Sequence, residues 1–149
     1  MDENAYKSTY NALNQNDCPF EKAMVICRHA CQNSRRIGIG ERLAIGCATT
    51  EARKTCRELL ALLHDNAAFA LHLTDTTVLP HAKELKVQCG GLRGLHNALV
   101  PENQEAAEIT NIFTLVAEAQ EHFNGLENLP FSEIVRSIVH FEGRRRGKG

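Results

Sequence analysis

Arg35-Arg36-Ile37-Gly38-Ile39-Gly40-Glu41-Arg42-Leu43-Ala44-Ile45-Gly46-Cys47 is the stretch on which the fold turns. Three glycines fall between positions 38 and 46. Glycine punctuates helical patterns, so the stretch reads as an irregular connection with room for one short helical turn over 41–45. Helical patterns flank it on both sides. Upstream, Cys18-Pro19-Phe20-Glu21 has the marks of a helix start, with proline in the first turn and a carboxylate at the positive end of the dipole. From there Phe20, Met24, Cys27 and Cys31 keep one face of a helix that runs to about Ser34.

Downstream, Thr49 and Thr50 are good N-caps with Glu51 in the first turn. The stripe Ala52, Cys56, Leu59, Leu60, Leu63, Ala67 and Leu71 carries this second helix to about residue 72. Thr74-Asp75-Thr76-Thr77 breaks the pattern. Pro80 opens a third segment with Leu85, Cys89, Leu92, Leu95 and Leu99 on one face, although Gly90, Gly91 and Gly94 weaken it and residues 85–89 also suit a short strand. A fourth helix is expected from Pro101 to a stop at Gly125, with Ile109, Ile112, Phe113, Val116 and Phe123 on its apolar face. A fifth follows Pro130 with Phe131, Ile134, Val135, Ile138 and Val139, and a polar helix fits residues 4–14. The expected fold is therefore all-α, a single domain over 1–149 built as a bundle of five or six helices, with the glycine-rich connection between its first two long helices. Residues 144–149 read as a disordered basic tail.

At 149 residues the chain can bury a core without disulfides or metal. Hydrophobic residues make up 43% and charged residues 23%, which excludes wholesale disorder. No apolar run approaches the roughly 20 residues that span a bilayer. The polar start Met1-Asp2-Glu3-Asn4 is no secretory signal, and a cytoplasmic location is expected. A net charge of −1 offers phosphate backbones no general attraction, so nucleic acid is not the expected partner.

Six cysteines carry the chemistry, at Cys18-x8-Cys27-x3-Cys31-x15-Cys47-x8-Cys56-x32-Cys89. Reduced thiols are expected in the cytosol. No C-x2-C pair is present, which counts against an ordinary zinc knuckle. If the first two helices form an antiparallel hairpin, Cys27, Cys31 and Cys56 lie about 11, 5 and 9 Å inside their helices, at one level. Cys47 in the connection and Cys89 beside Gly90-Gly91 compete to complete the set. The candidate ligands are thus Cys27, Cys31, Cys47, Cys56 and Cys89. Four soft thiolates point to an iron–sulfur cluster, [4Fe-4S] in first place, with zinc as the alternative. Cys18 falls about 14 Å from Cys27 along the first helix and drops out.

The same cysteines sit in apolar stripes, where cysteine packs as a small core residue. A helical scaffold with structural cysteines is accordingly the competing reading. A third makes residues 42–60 a helix-turn-helix with Arg53, Lys54 and Arg57 on a recognition helix, and the cysteines a redox switch. The histidines are scattered, and His29 projects away from Cys27 and Cys31 on a helix, toward the surface. No P-loop, G-x-S-x-G or dinucleotide pattern appears. The expected function is electron transfer, redox sensing or cluster delivery to a larger partner protein, rather than enzymatic catalysis.

Overall fold

A computed structural model describes residues 2–73, 79–101 and 108–142. In chain order it contains α1 (Glu3–Leu13), α2 (Glu21–Ile26), β1 (Ser34–Ile39), β2 (Arg42–Cys47) and α3 (Thr50–Ala67). Then come α4 (His81–Leu85), a π turn (Lys86–Gly90), α5 (Gly91–Leu99), α6 (Ile112–Phe123), a 3₁₀ turn (Leu126–Asn128) and α7 (Phe131–His140). The protein is largely helical, but it is not the all-α bundle that the glycine-rich stretch suggests. That stretch is a two-stranded antiparallel sheet.

In the hairpin Ser34 pairs with Cys47 and Ile39 with Arg42, leaving Gly40 and Glu41 as the turn. Gly40 has φ 62, which the tight turn of a right-twisted hairpin requires at its first central position. The second edge of β2 is also occupied. Cys18 N–H donates to the Ile45 carbonyl at 3.0 Å, and Cys47 N–H donates to the Asn16 carbonyl at 2.7 Å. Asn14 Nδ2 donates to the same Ile45 carbonyl at 3.0 Å, and the Ile45 N–H donates to Glu21 Oε2 at 2.7 Å. Glu21 Oε1 in turn accepts from the Tyr10 hydroxyl at 2.8 Å, so α1, α2 and the hairpin share one carboxylate.

The first long helix is shortened to α2, which ends at Ile26 rather than near Ser34. Cys27 and His29 both donate to the Ala23 carbonyl, and Arg28 between them is left-handed at φ 60. Beyond it, Ala30 N–H donates to the Ile109 carbonyl and Ile112 N–H donates to the Ala30 carbonyl, both at 2.8 Å. Backbone groups there are satisfied by tertiary partners, so the helical ladder has no need to continue. Residues 42–60 comprise β2 and α3, so they are not two helices about a turn and the helix-turn-helix reading falls. His29 is corrected too: it is 3% exposed, and its Nδ1 accepts from the Ile109 N–H at 3.1 Å.

The other helical expectations fare better. Thr49 caps α3 by accepting from the Ala52 N–H at 3.3 Å, and Leu59, Leu63 and Ala67 of its stripe are buried. Asn124 (φ 61) and Gly125 (φ 121) end α6, but that helix starts at Ile112 under an Asn111 cap, well after Pro101. The break at Thr74-Asp75-Thr76-Thr77 and the basic tail lie outside the described residues.

The third segment is helical throughout, with a wide π turn between α4 and α5 that buries four consecutive residues, Val87, Gln88, Cys89 and Gly90. Its glycines are contact points. A Cβ at Gly90 would stand 2.7 Å from Ile138 Cα, and one at Gly94 would stand 3.0 Å from Ile134 Cα, so α7 lies directly on this helix. Phe20, Leu59, Leu63, Val87, Leu92, Leu95, Ile134 and Ile138 fill the core around the crossing. Gly90→Ala is expected to destabilise the fold by about 3 kcal/mol, because the clash is with backbone that cannot rotate away. Gly38→Ala, which meets nothing within 4 Å, should stay within about 0.5 kcal/mol of the parent. Urea midpoints at constant m-value measure both.

Burial lowers the His29 pKa from 6.5 to about 4, assisted by the nearby Arg93 charge. The folded state therefore refuses a proton that the unfolded ring accepts below about 6.5. Stability is full above that pH and falls as pH drops toward 4, by about 3 kcal/mol from this group. Urea unfolding at pH 7.5 and 4.5 should show a smaller loss for His29→Asn than for the parent, and equal losses would refute the assignment.

Candidate functional site

The six cysteines divide into a bonded pair and a free set. Cys27, the C-cap of α2, and Cys89, in the π turn, form a disulfide across a Cα–Cα distance of 6.7 Å. This departs from the expectation of six reduced thiols. Cys18, Cys31, Cys47 and Cys56 are free and half-buried.

Four different segments bring the free thiols together. Cys18 precedes α2 and is laid along β2 by its N–H bond to Ile45. Cys31 lies in the loop from α2 to β1, where its carbonyl accepts from the Ser34 N–H at 3.1 Å, and Ser34 is the register partner of Cys47. Cys47 ends β2, with its Sγ 3.2 Å from the Thr49 carbonyl. Cys56 sits inside α3, near the end that β2 enters. Arg53, one turn before Cys56, donates from Nε to the Asp17 carbonyl at 2.8 Å and from Nη2 to Asp17 Oδ1 at 2.7 Å. That pair of hydrogen bonds ties the Cys18 segment to α3. Ala48 N–H donates to the Asn33 carbonyl at 2.7 Å and closes the ring of segments on the Cys31 side.

Electrostatics reports the same neighbourhood. Burial pushes the Cys18 thiol up to about 12, partly offset by a hydrogen bond from the Phe20 backbone, and charge at Cys56, Cys31 or Cys47 would push it further. Burial likewise pushes Cys56 up to about 12, with Cys31 and Cys47 adding to it. Such thiols stay protonated at neutral pH and are poor nucleophiles unless a cation takes the proton's place.

Of the five expected ligands, Cys31, Cys47 and Cys56 are neighbours, while Cys27 and Cys89 are bonded to each other. Cys18 joins the neighbours because β2, not the α2 axis, determines where it lies. The signal available in the sequence was the alternation Ile37-x-Ile39 and Leu43-x-Ile45 about Gly40-Glu41, a hairpin pattern. Among the described residues no three of His, Cys, Asp or Glu stand close enough to hold one metal ion. The thiols are neighbours without being closed on a single centre.

Two of the clefts that reach the set open on Cys56 and on Cys18. One of about 140 Å³ between α3 and α6 exposes Cys56 beside Ala52, Phe113 and Val116. The other, more polar, exposes Cys18 beside Lys22, Arg57, Glu84 and Gln88. Glu84 is also bonded to His64 at 2.9 Å, so that histidine serves the scaffold. No helix among the described residues is long and apolar enough to cross a membrane. No protein-family model, curated protein or solved structure matches the chain.

Native alkylation at pH 8 should modify Cys18 and Cys56 roughly a hundredfold or more slowly than in urea, since both burial and the raised pKa withhold the thiolate. Peptide mass mapping against time gives the rates, and labelling of either at the unfolded rate would contradict their placement.

Proposed function

We propose that the chain is a cysteine-ligated metal protein holding an iron–sulfur cluster, [4Fe-4S] ahead of zinc, and that it works in electron transfer, redox sensing or cluster delivery to a larger protein. The observation that carries this reading is that Cys18, Cys31, Cys47 and Cys56, on four segments, are free with none exposed, and that Cys31 and Cys47 lie within electrostatic reach of both Cys18 and Cys56. Four soft sulfur donors suit iron–sulfur or zinc and disfavour magnesium or calcium. A single zinc ion at about 2.3 Å from each sulfur needs thiols nearly in contact, whereas a cluster takes each thiolate on a different iron and tolerates a wider set. What supports the cluster over zinc is the absence of any C-x2-C knuckle in the sequence. When bound, the cluster supplies one-electron chemistry.

The chain's own residues do the rest. Burial already withdraws Cys18 and Cys56 from part of the solvent, so less water has to be expelled around their sulfurs. Arg53 and the β2 pairing hold their segments in fixed relation. Four thiolates leave no open coordination position for a substrate, so the role is that of a carrier or sensor. A cytoplasmic setting is part of the same proposal.

A second reading has its own support: Cys18, Cys27, Cys31 and Cys56 all pack against the hydrophobic core. A scaffold protein with structural cysteines would look like this. Anaerobic purification followed by iron and sulfide analysis separates the two. The expected result is visible absorption with about four irons per chain, lost in Cys31→Ser, Cys47→Ser or Cys56→Ser and kept in Cys27→Ser. A colourless, iron-free protein after anaerobic reconstitution, with serine variants that lose only stability, establishes the scaffold instead.

A further inference from the structure

The disulfide is the covalent link between α2 and the π turn, which otherwise meet through the core packing of Ala23 and Val87 and one hydrogen bond. α2 has six residues, too few to persist as an isolated helix, and its Val25 and Ile26 are 41% and 43% exposed. On the π turn it is held by the Cys27–Cys89 bond and by Gln88, whose Oε1 accepts from the Ala23 N–H at 3.1 Å. Directly after Cys27 the chain reverses through left-handed Arg28, and four residues after Cys27 it reaches Cys31 of the free thiol set. The chain is long enough to fold without a covalent staple. Four unpaired thiols coexist with the bonded pair, so the chain is not cross-linked throughout.

We propose that Cys27–Cys89 is a reversible two-electron switch that locks α2 and the segment through Cys31 onto the π turn, and thereby governs the thiol site. The lock stands on the disulfide and its neighbours; its effect on metal binding rests on the function proposed above. Cys89 is 0% exposed and Cys27 is half-buried, so a dithiol reductant approaches the Cys27 sulfur. Its thiolate bonds to Cys27 Sγ and the Cys27–Cys89 bond breaks. Cys89 leaves with the electron pair and takes up a proton. The second thiolate of the reductant then attacks the mixed disulfide, releasing Cys27, which is protonated, and leaving the reductant as its own disulfide. Two electrons and two protons pass to the protein. The reduced chain has six thiols instead of four, and the released Cys27, four residues before Cys31 in sequence, becomes a further candidate ligand.

The test uses the full, metal-free chain equilibrated in mixtures of reduced and oxidised dithiothreitol. After acid quench and alkylation in denaturant, the mass should step from four to six modified cysteines in one transition, with Cys27 and Cys89 as the changing pair. Amide exchange over residues 21–31 should rise roughly tenfold or more on reduction while α3, α5 and α7 keep their protection. Cys27→Ser, and independently Cys89→Ser, should show the fast exchange under both conditions. Six alkylated cysteines under every condition, a different oxidised pair, or unchanged exchange over 21–31 overturns the lock. Cobalt(II) alone, added to the oxidised and reduced forms, reads the site. A different affinity in the two forms supports the link from lock to ligands, and equal affinity overturns that link while leaving the metal site intact. No cobalt–thiolate absorption in either form overturns the link and the single-ion site together, the cluster is decided by the iron and sulfide analysis above, and the thiol count and exchange still decide the lock.

Discussion

Gly90 permits α7 to lie against the π turn at a separation that a single methyl group would prevent, since a Cβ there would meet Ile138 Cα at 2.7 Å. Most of the molecule hangs from that contact. Leu92 and Leu95 follow from the same helix and pack with Ile134 and Ile138, and Leu63 of α3 closes on Gly91 from another side. The wide turn presents Gln88 and Cys89 together with Gly90, so one irregular stretch makes the α7 contact, the hydrogen bond to α2 and the disulfide. A regular helix would rotate some of these groups away from their partners.

This also explains why Gly90, Gly91 and Gly94 are read from sequence as a weakness. Intrinsic propensity charges each glycine against the helix, and nothing local reveals that the missing side chain makes room for another helix. Where apolar residues recur at helical spacing without such complications, as in Leu59, Leu63 and Ala67 or Ile134 and Ile138, the sequence reads correctly. The hairpin was hidden for a different reason. Gly38 and Gly46 stand between or beside the alternating Ile37, Ile39, Leu43 and Ile45 and make the stretch read as a glycine-rich loop, although only Gly40 is there for the turn. α2 was overextended because Cys27 and Cys31 continue its apolar stripe, while the bonds that end it come from residues 109 and 112, far along the chain.

The sulfur geometry inherits both errors. A helical hairpin and a β-hairpin each bring the region of Cys31 back beside Cys47, so that adjacency is accessible from spacing alone. The position of Cys18 is not, because it depends on β2 accepting a second neighbour through the Ile45 carbonyl. Nor is the pairing of Cys27 with Cys89, whose separation of 62 residues leaves no local trace. Long-range contacts decide which thiols meet, and single-sequence periodicity is blind to them.

The hairpin leaves one asymmetry. β2 is bonded on both edges, to β1 and to the segment around Asn16 and Cys18, whereas the two-stranded sheet ends at β1. A bare strand edge is a template on which a strand of another molecule can add, the first step of ordered aggregation. Here that edge is only six residues long and bears the exposed cations Arg35 and Arg36, which repel their counterparts on an approaching copy. A variant neutral at both positions would lose that repulsion, leaving its edge open to a strand of another copy.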